Sequence, residues 1–453
     1  MLNAVITRLR NLFHRVFENE LIRRVIRNSG YLFSVTGIAA MFSMLQGIFV
    51  ARLLGVAVLG VLGIIVQFTT VVNKFTSFRM NELIVKYVGQ YTETNQPRRA
   101  AAVFKAAGLT EITSAIFAYG LIWLLAPLGA RFLAKDISLT YLFWIYGLIV
   151  LANLIFESAT GLLQIFDRFR QIAIVTFVQS FATLMLIFLA FIFDRGLAEV
   201  MAAYMVGKII GGLGLSYLAL REARRTWGAG WWRTPLSELR LQAGELIRFA
   251  INTNISGTLS LINRDSELLW LSAFTSPLAA GYYKQALALA NLVQMPVSPL
   301  PKATYPELSR EVAKKNWPNL RYILRQGSRL AFWYTIAVSI FLVLFGQPLI
   351  TLLYGDEFLP SYPAVLILLV GFLVANTFYW NRIALLSLGR PDYPTKVNVL
   401  IVVLKFIGVF ALLPVFGYLG SAMLLTFSYI LGNSLTVLKI RSEIRHRERE
   451  TVA

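Results

Sequence analysis

The sequence predicts an all-α membrane protein, with about twelve transmembrane helices in two six-helix bundles related by a parallel pseudo-twofold repeat. Three observations lead there. Of the 453 residues, 57% are hydrophobic and only 15% charged, whereas a soluble domain carries about 25% charged residues. The apolar residues form long blocks separated by short basic segments, which is the pattern of membrane spans and their loops. Short motifs also recur in the same order at an offset of roughly 220 residues, the mark of an internal repeat. Glu82-Leu83 and Asn95-Gln96-Pro97 are echoed by Glu307-Leu308 and Asn316-Trp317-Pro318. Leu162-Leu163 with Arg168 is echoed by Leu385-Leu386 with Arg390. Six spans per half would give both halves the same orientation, a parallel repeat whose halves enclose a site at their interface.

The elements follow in chain order. Residues 1–28 read as an amphipathic segment on a negatively charged leaflet, with Leu2, Val5, Ile6, Leu9, Leu12 and Phe13 at helical spacing among arginines. Spans are expected near 29–54, 56–79, 103–125, 140–165, 171–193 and 198–220, an N-terminal bundle over 29–220. A basic cytoplasmic linker follows at 221–245. Further spans near 246–274, 278–300, 328–353, 361–387, 395–416 and 418–438 make a C-terminal bundle over 246–438, and 439–453 is a basic tail. Arginine and lysine gather in alternate loops and at both ends, so the positive-inside rule puts both termini in the cytoplasm of a multi-pass inner (cytoplasmic) membrane protein. Trp227, Trp231 and Trp232 fit an interfacial aromatic belt. The net charge of +20 is accounted for by these loops, and no nucleic-acid partner is expected. There are no cysteines, and no zinc spacing, phosphate-cradling glycine loop or nucleophile elbow. No metal, cofactor or catalytic residue is expected; the chain reads as a transporter, not an enzyme.

Charges inside the spans are the candidate functional residues, since each costs ~3 kcal/mol to place there unless it meets a partner or a wet cavity. The densest group is Asn263 to Glu267. Thr253, Ser256, Ser260, Arg264 and Glu267 follow at three- or four-residue steps and share one face of a continuous helix. Span two carries Gln67, Thr70, Lys74 and Ser77 on one face; span eight carries Lys284, Asn291, Gln294 and Ser298. Lys208, Arg382 and Lys405 lie in spans six, ten and eleven. Against these cations stand Glu111, Glu157, Asp265 and Glu267. The excess of cations predicts a cavity that favours an anionic ligand, with Lys74, Lys208, Arg264, Lys284 and Arg382 as its substrate-binding residues. Several alternatives stand beside this. Lys405 can snorkel to headgroups. Arg264 can form a structural pair with Asp265 or Glu267. Glu111, Glu157, Asp265 or Glu267 can exchange protons, and Glu111 and Glu157 can instead simply partner lysines.

Longer matches add a resemblance. Ala51-Arg52-Leu53-Leu54-Gly55 with Leu59-Gly60, Gly281-Tyr282-Tyr283, Tyr305-Pro306-Glu307-Leu308-Ser309 and Leu352-Leu353-Tyr354-Gly355-Asp356-Glu357-Phe358 resemble the oligosaccharide-lipid flippases (Wzx-like) of the multidrug, oligosaccharidyl-lipid and polysaccharide exporter superfamily. So does Leu385-Leu386-Ser387-Leu388-Gly389. The resemblance implies a V of two bundles around a central cationic cavity. It implies transfer of an undecaprenyl-pyrophosphate-linked oligosaccharide from the cytoplasmic to the outer leaflet, for O-antigen, capsule or exopolysaccharide, by alternating access. The implied partners are that lipid-linked oligosaccharide, membrane lipids, a polysaccharide polymerase and glycosyltransferases. Relatives carry an acid where Asp265 lies; here it is embedded between Arg264 and Glu267. MATE-like drug or cation antiporters share the fold and form the competing reading.

Overall fold

The structure, a computed structural model, describes residues 20–264, 266–390 and 392–452. The expected amphipathic segment therefore lies outside the described residues as far as residue 19. Every regular element among the described residues is helical. The helices used below are α1 (Glu20–Thr76), α2 (Met80–Leu83), α3 (Pro97–Leu128), α4 (Phe156–Ile165), α5 (Phe169–Ile192), α6 (Leu197–Trp227), α7 (Ala243–Arg264) and α8 (Glu267–Phe274). After them come α9 (Pro277–Gln294), α10 (Leu300–Ala313), α11 (Trp317–Leu353), α12 (Tyr362–Thr377), α13 (Asn381–Ser387) and α14 (Asp392–Val452). Among the described residues, eight helical stretches are long and apolar enough to cross a membrane. The fold is thus an all-α, multi-pass membrane fold.

Two of the eight stretches contain a glycine break. In α1 Gly55 adopts φ 68°, and in α14 Gly417 adopts φ 53°. Both coincide with the expected joints between spans. A side chain is strained at such angles, so glycine is the residue that lets the helix end there. At Gly417 the chain folds back: a Cβ on Gly432 would lie 2.7 Å from Ile401, whereas a straight helix would hold those residues about 46 Å apart. Neither α7–α8 nor α9 is among the eight, because their polar residues dilute the apolar run.

Three expected spans are not single helices. The stretch expected over 140–165 is broken into Thr140–Gly147, Ile149–Ala152 and α4. The one expected over 361–387 is broken between α12 and α13. Asparagines sit at both breaks and bond to backbone, Asn153 to the Ile149 carbonyl at 2.7 Å and Asn376 to the Val293 carbonyl at 3.2 Å. Such side chains offer the chain an alternative to the helical ladder. The third correction concerns 246–274, where the helix stops after Arg264 and restarts at Glu267. The expected stripe from Thr253 to Glu267 is thus divided between α7 and α8. Restarting puts the Glu267 carboxylate in the first turn of α8, at the positive end of its dipole.

The chain divides into two compact units. Unit 1 holds the residues through Phe49, Thr76–Trp123 and Tyr146–Ile255; unit 2 holds Val50–Phe75, Leu124–Ile145 and the chain from Ser256 onward. The core of unit 1 gathers Ile84, Val88, Phe104, Leu162, Leu163 and Leu215. The expected linker is packed against it: Trp227 and Trp231 lie 5.8 and 5.3 Å from the Phe104 ring, and Lys105 donates to the Thr234 carbonyl.

Unit 2 turns on a crossing of α1 and α9 at which backbones touch. A Cβ on Gly60 would fall 1.8 Å from the Pro277 carbonyl oxygen, and one on Gly281 would fall 2.1 Å from that of Val56. Small residues let membrane helices approach this closely. Three residues further along the same face, Gly63 leaves room for the stem of Lys284 and the side chain of Leu268. Gly60→Ala and Gly281→Ala are each expected to cost about 1–3 kcal/mol or more through overpacking. Gly244→Ala, where nothing lies within 4 Å, is expected to cost nothing. Thermal unfolding of the purified variants checks both.

Candidate functional site

Unit 2 contains a polar pocket of about 150 Å³ between α13 and the two arms of α14. Its polar lining is Asn381, Arg382, Asn398, Ser428, Tyr429, Asn433 and Thr436, with no carboxylate among the lining residues. The amide of Asn381 donates to Asn433 Oδ1, and Asn433 in turn donates to the Tyr429 carbonyl at 2.7 Å. Arg382 is exposed, and its guanidinium has no ion pair among the described residues. A fixed row of amides beside one uncompensated guanidinium suits an anion or a hydroxyl-rich group. Of this pocket only Arg382 was expected. The signal for the rest was present: Leu425, Ser428, Gly432, Asn433 and Thr436 recur at helical spacing in an otherwise apolar helix.

A second cluster in unit 2 is dry. Glu267 and Lys405 form an ion pair, each only 6% exposed. The other carboxylate oxygen of Glu267 accepts from the hydroxyl of the fully buried Tyr283. Burial demands this completeness, because an unmatched charge in a dry site is far costlier than the pair. Lys405 is thus neither a headgroup anchor nor a free cavity cation. Lys284 packs against Gly63 nearby and has no ion pair among the described residues.

Unit 1 brings Glu111 and Glu157 together. Glu111 on α3 accepts the backbone N–H groups of Glu157 at 2.7 Å and Ser158 at 3.0 Å. These are two of the orphan donors that begin α4, whose N-cap residue Ile155 offers no side-chain acceptor. Glu111 is therefore a helix cap reached through space, not a partner for a lysine. Glu157 accepts from Ser77 Oγ at 3.4 Å, and its carbonyl accepts from Asn81. Its second oxygen is buried without a hydrogen bond among the described residues. Asn254 on α7 closes the cluster by donating to the Ser77 carbonyl.

The other expected residues lie on different elements. Lys74 is exposed in the last turn of α1, and Lys208 is exposed on α6 beside Gly207. The side chain of Arg264, and Asp265 altogether, lie outside the described residues.

Residues 25–312 match the family described as polysaccharide biosynthesis protein. The chain belongs to that family. It is also 26% identical over 352 residues to the inner membrane protein YghQ of Escherichia coli (strain K12), covering 77% of this chain and 98% of that one. Among solved structures it is similar to an inward-facing multidrug resistance MATE family transporter of the MOP superfamily. That likeness has a TM-score of 0.75 at 12% identity, covering 91% of this chain and 96% of the other. It is also similar to the lipid II flippase MurJ in an inward closed conformation, with a TM-score of 0.70 at 12% identity, over 93% and 90% of the two chains. These likenesses establish the MATE-type fold of this member of the polysaccharide biosynthesis family.

Lys405→Met alone is expected to destabilise the protein by about 3–5 kcal/mol, since it strands a buried carboxylate. Combining it with Glu267→Leu is expected to recover most of that loss. A double-mutant cycle on thermal unfolding reads the coupling.

Proposed function

We propose that this protein is a flippase that moves an undecaprenyl-pyrophosphate-linked oligosaccharide from the cytoplasmic to the outer leaflet of the inner membrane, for a surface polysaccharide such as O-antigen, capsule or exopolysaccharide. Family membership supplies the class, and the observation that carries the substrate is the carboxylate-free pocket of Arg382 and its asparagines. A glycan and a diphosphate lose their hydrogen bonds in hydrocarbon, so they need a wet, polar path. Amides and hydroxyls replace the water around sugars, and guanidinium grips phosphate. A MATE-like antiporter of cationic drugs would need an open carboxylate, and in unit 2 Glu267 is neutralised by Lys405.

The finer architecture belongs to the same reading. The apolar stretch Gly37–Thr76 has 40 residues, about 60 Å of straight helix against a ~30 Å hydrocarbon core, so the Gly55 break would separate two spans. The same holds at Gly417. With α7–α8 and α9–α10 as polar pairs of the remaining spans, the chain has twelve. They form two bundles, 29–220 and 246–438, in a V whose halves rock about a central cavity. Lys74, Lys208, Arg264, Lys284 and Arg382 face that cavity, with Asp265 beside Arg264. Both termini are cytoplasmic, and polymerase and glycosyltransferases act on either side of the transport step.

In a strain lacking its own flippase, Arg382→Ala is expected to cut surface glycan at least about tenfold, the loss of one charge-assisted contact. Arg382→Lys recovers only part, because a point charge cannot grip bidentately. Lys74→Ala, Arg264→Ala and Lys284→Ala should each impair assembly at normal protein levels. Wild-type glycan in Arg382→Ala would overturn the pocket assignment. Coupling to protons is assigned to Glu157, whose carboxylate keeps an unused oxygen. In reconstituted vesicles Glu157→Gln should abolish stimulation by a pH gradient, and transport indifferent to that gradient in the wild type would sink the coupling.

A further inference from the structure

We infer that unit 1 binds one acyl chain of an anionic phospholipid in a groove between α2, α3, α7 and the linker. The groove has a volume of about 470 Å³ and is walled by Phe78, Leu83, Val103, Ala107, Leu246 and Ala250. That volume lies within the ~300–1,000 Å³ of small-molecule sites. Among the described residues of its wall the one polar side chain, Thr110, already donates to the Ala106 carbonyl at 2.9 Å. Nothing inside the groove asks for a hydrogen bond, so its occupant is a hydrocarbon chain.

The mouth adds the headgroup. Leu236, Ile247 and Ile251 are exposed along it. The linker presents Trp232 and, at 88% exposure, Leu241, a pattern that seats a segment at headgroup level. Arg240 follows Leu239 and Arg248 follows Ile247. Both arginines are exposed and have no ion pair among the described residues. The neighbouring cations are engaged, Arg79 with Glu82 and Lys86 with Glu245 and the Tyr87 and Phe249 rings. Two uncommitted guanidinium groups, each on a residue next in sequence to one that lines the slot, complement a phosphate with a hydrocarbon tail. Residues 1–19 of the chain carry Arg8, Arg10 and Arg15 against the single acid Glu18, so the arginine rim repels them. Both arginines stand in water without a dry polar shell to select a glycan. The abundant diester phospholipid fits that mouth better than the glycosylated diphosphate does. The inference holds whatever substrate is transported.

Native mass spectrometry of the full-length protein tests it with phosphatidylglycerol, phosphatidylcholine and undecaprenyl phosphate as probes. One phosphatidylglycerol per chain should be retained in preference to phosphatidylcholine. Arg240→Ala and Arg248→Ala should each weaken retention about fivefold, the effect of one cation beside an anionic headgroup. Ala250→Trp should fill the groove and remove binding, and the two surface variants decide the matter if that one fails to fold. The chain has no cysteine, so Ala250→Cys gives a single attachment point for a photocrosslinker, which should capture lipid. Equal retention of the two phospholipids, or retention unchanged in both arginine variants, overturns the proposal. So does displacement of phosphatidylglycerol by undecaprenyl phosphate, or capture of residues 1–19 by the photocrosslinker in place of lipid.

Discussion

A polar group in a hydrocarbon layer has no water to fall back on and must find its partner inside the protein. That constraint explains more of this structure than any single contact. It makes Glu111 reach from one helix to satisfy the first amides of another. It gives Glu267 a partner for each oxygen, one an ammonium and one a phenol. It ties the side chain of Asn376 to the Val293 carbonyl and the Thr335 hydroxyl. Helix breaks, which a soluble protein could leave to solvent, here coincide with side chains that rebind the freed backbone.

The glycines answer a different need. With no hydrophobic drive between helices in lipid, close packing must hold them together. Gly60 and Gly281 provide it in unit 2 by letting backbone meet backbone. Three residues after Gly60 on the same helix, Gly63 leaves the space in which the stem of Lys284 lies.

The charges sort by environment into roles that their residue types do not reveal. Lys405 is consumed by structure, while Arg382 stands beside amides in a pocket whose described lining includes no acid. Glu111 is spent on a helix terminus, and Glu157, bonded through one oxygen, keeps the other unused. The proposed flippase activity needs this separation: charges that hold the helices, and charges left to meet the cargo.

The class of the protein was legible from composition alone, because long apolar blocks with basic punctuation have one stable solution in water and lipid. The joints at Gly55 and Gly417 were legible too, since a glycine at the midpoint of an overlong apolar run marks where a helix must end. Arg382 stood out in the same way, as an arginine within an apolar stretch. The boundary between α7 and α8 was not legible, because periodicity assumes a continuous helix and cannot see where one stops. Nor could spacing pair Glu267 with Lys405, or Glu111 with the start of α4, or gather Asn398 and Asn433 around Arg382. Local sequence determines which segments are helical and how apolar they are. Which side chains from distant parts of the sequence meet is decided only when the helices pack and each buried polar group takes the partner that packing brings within reach.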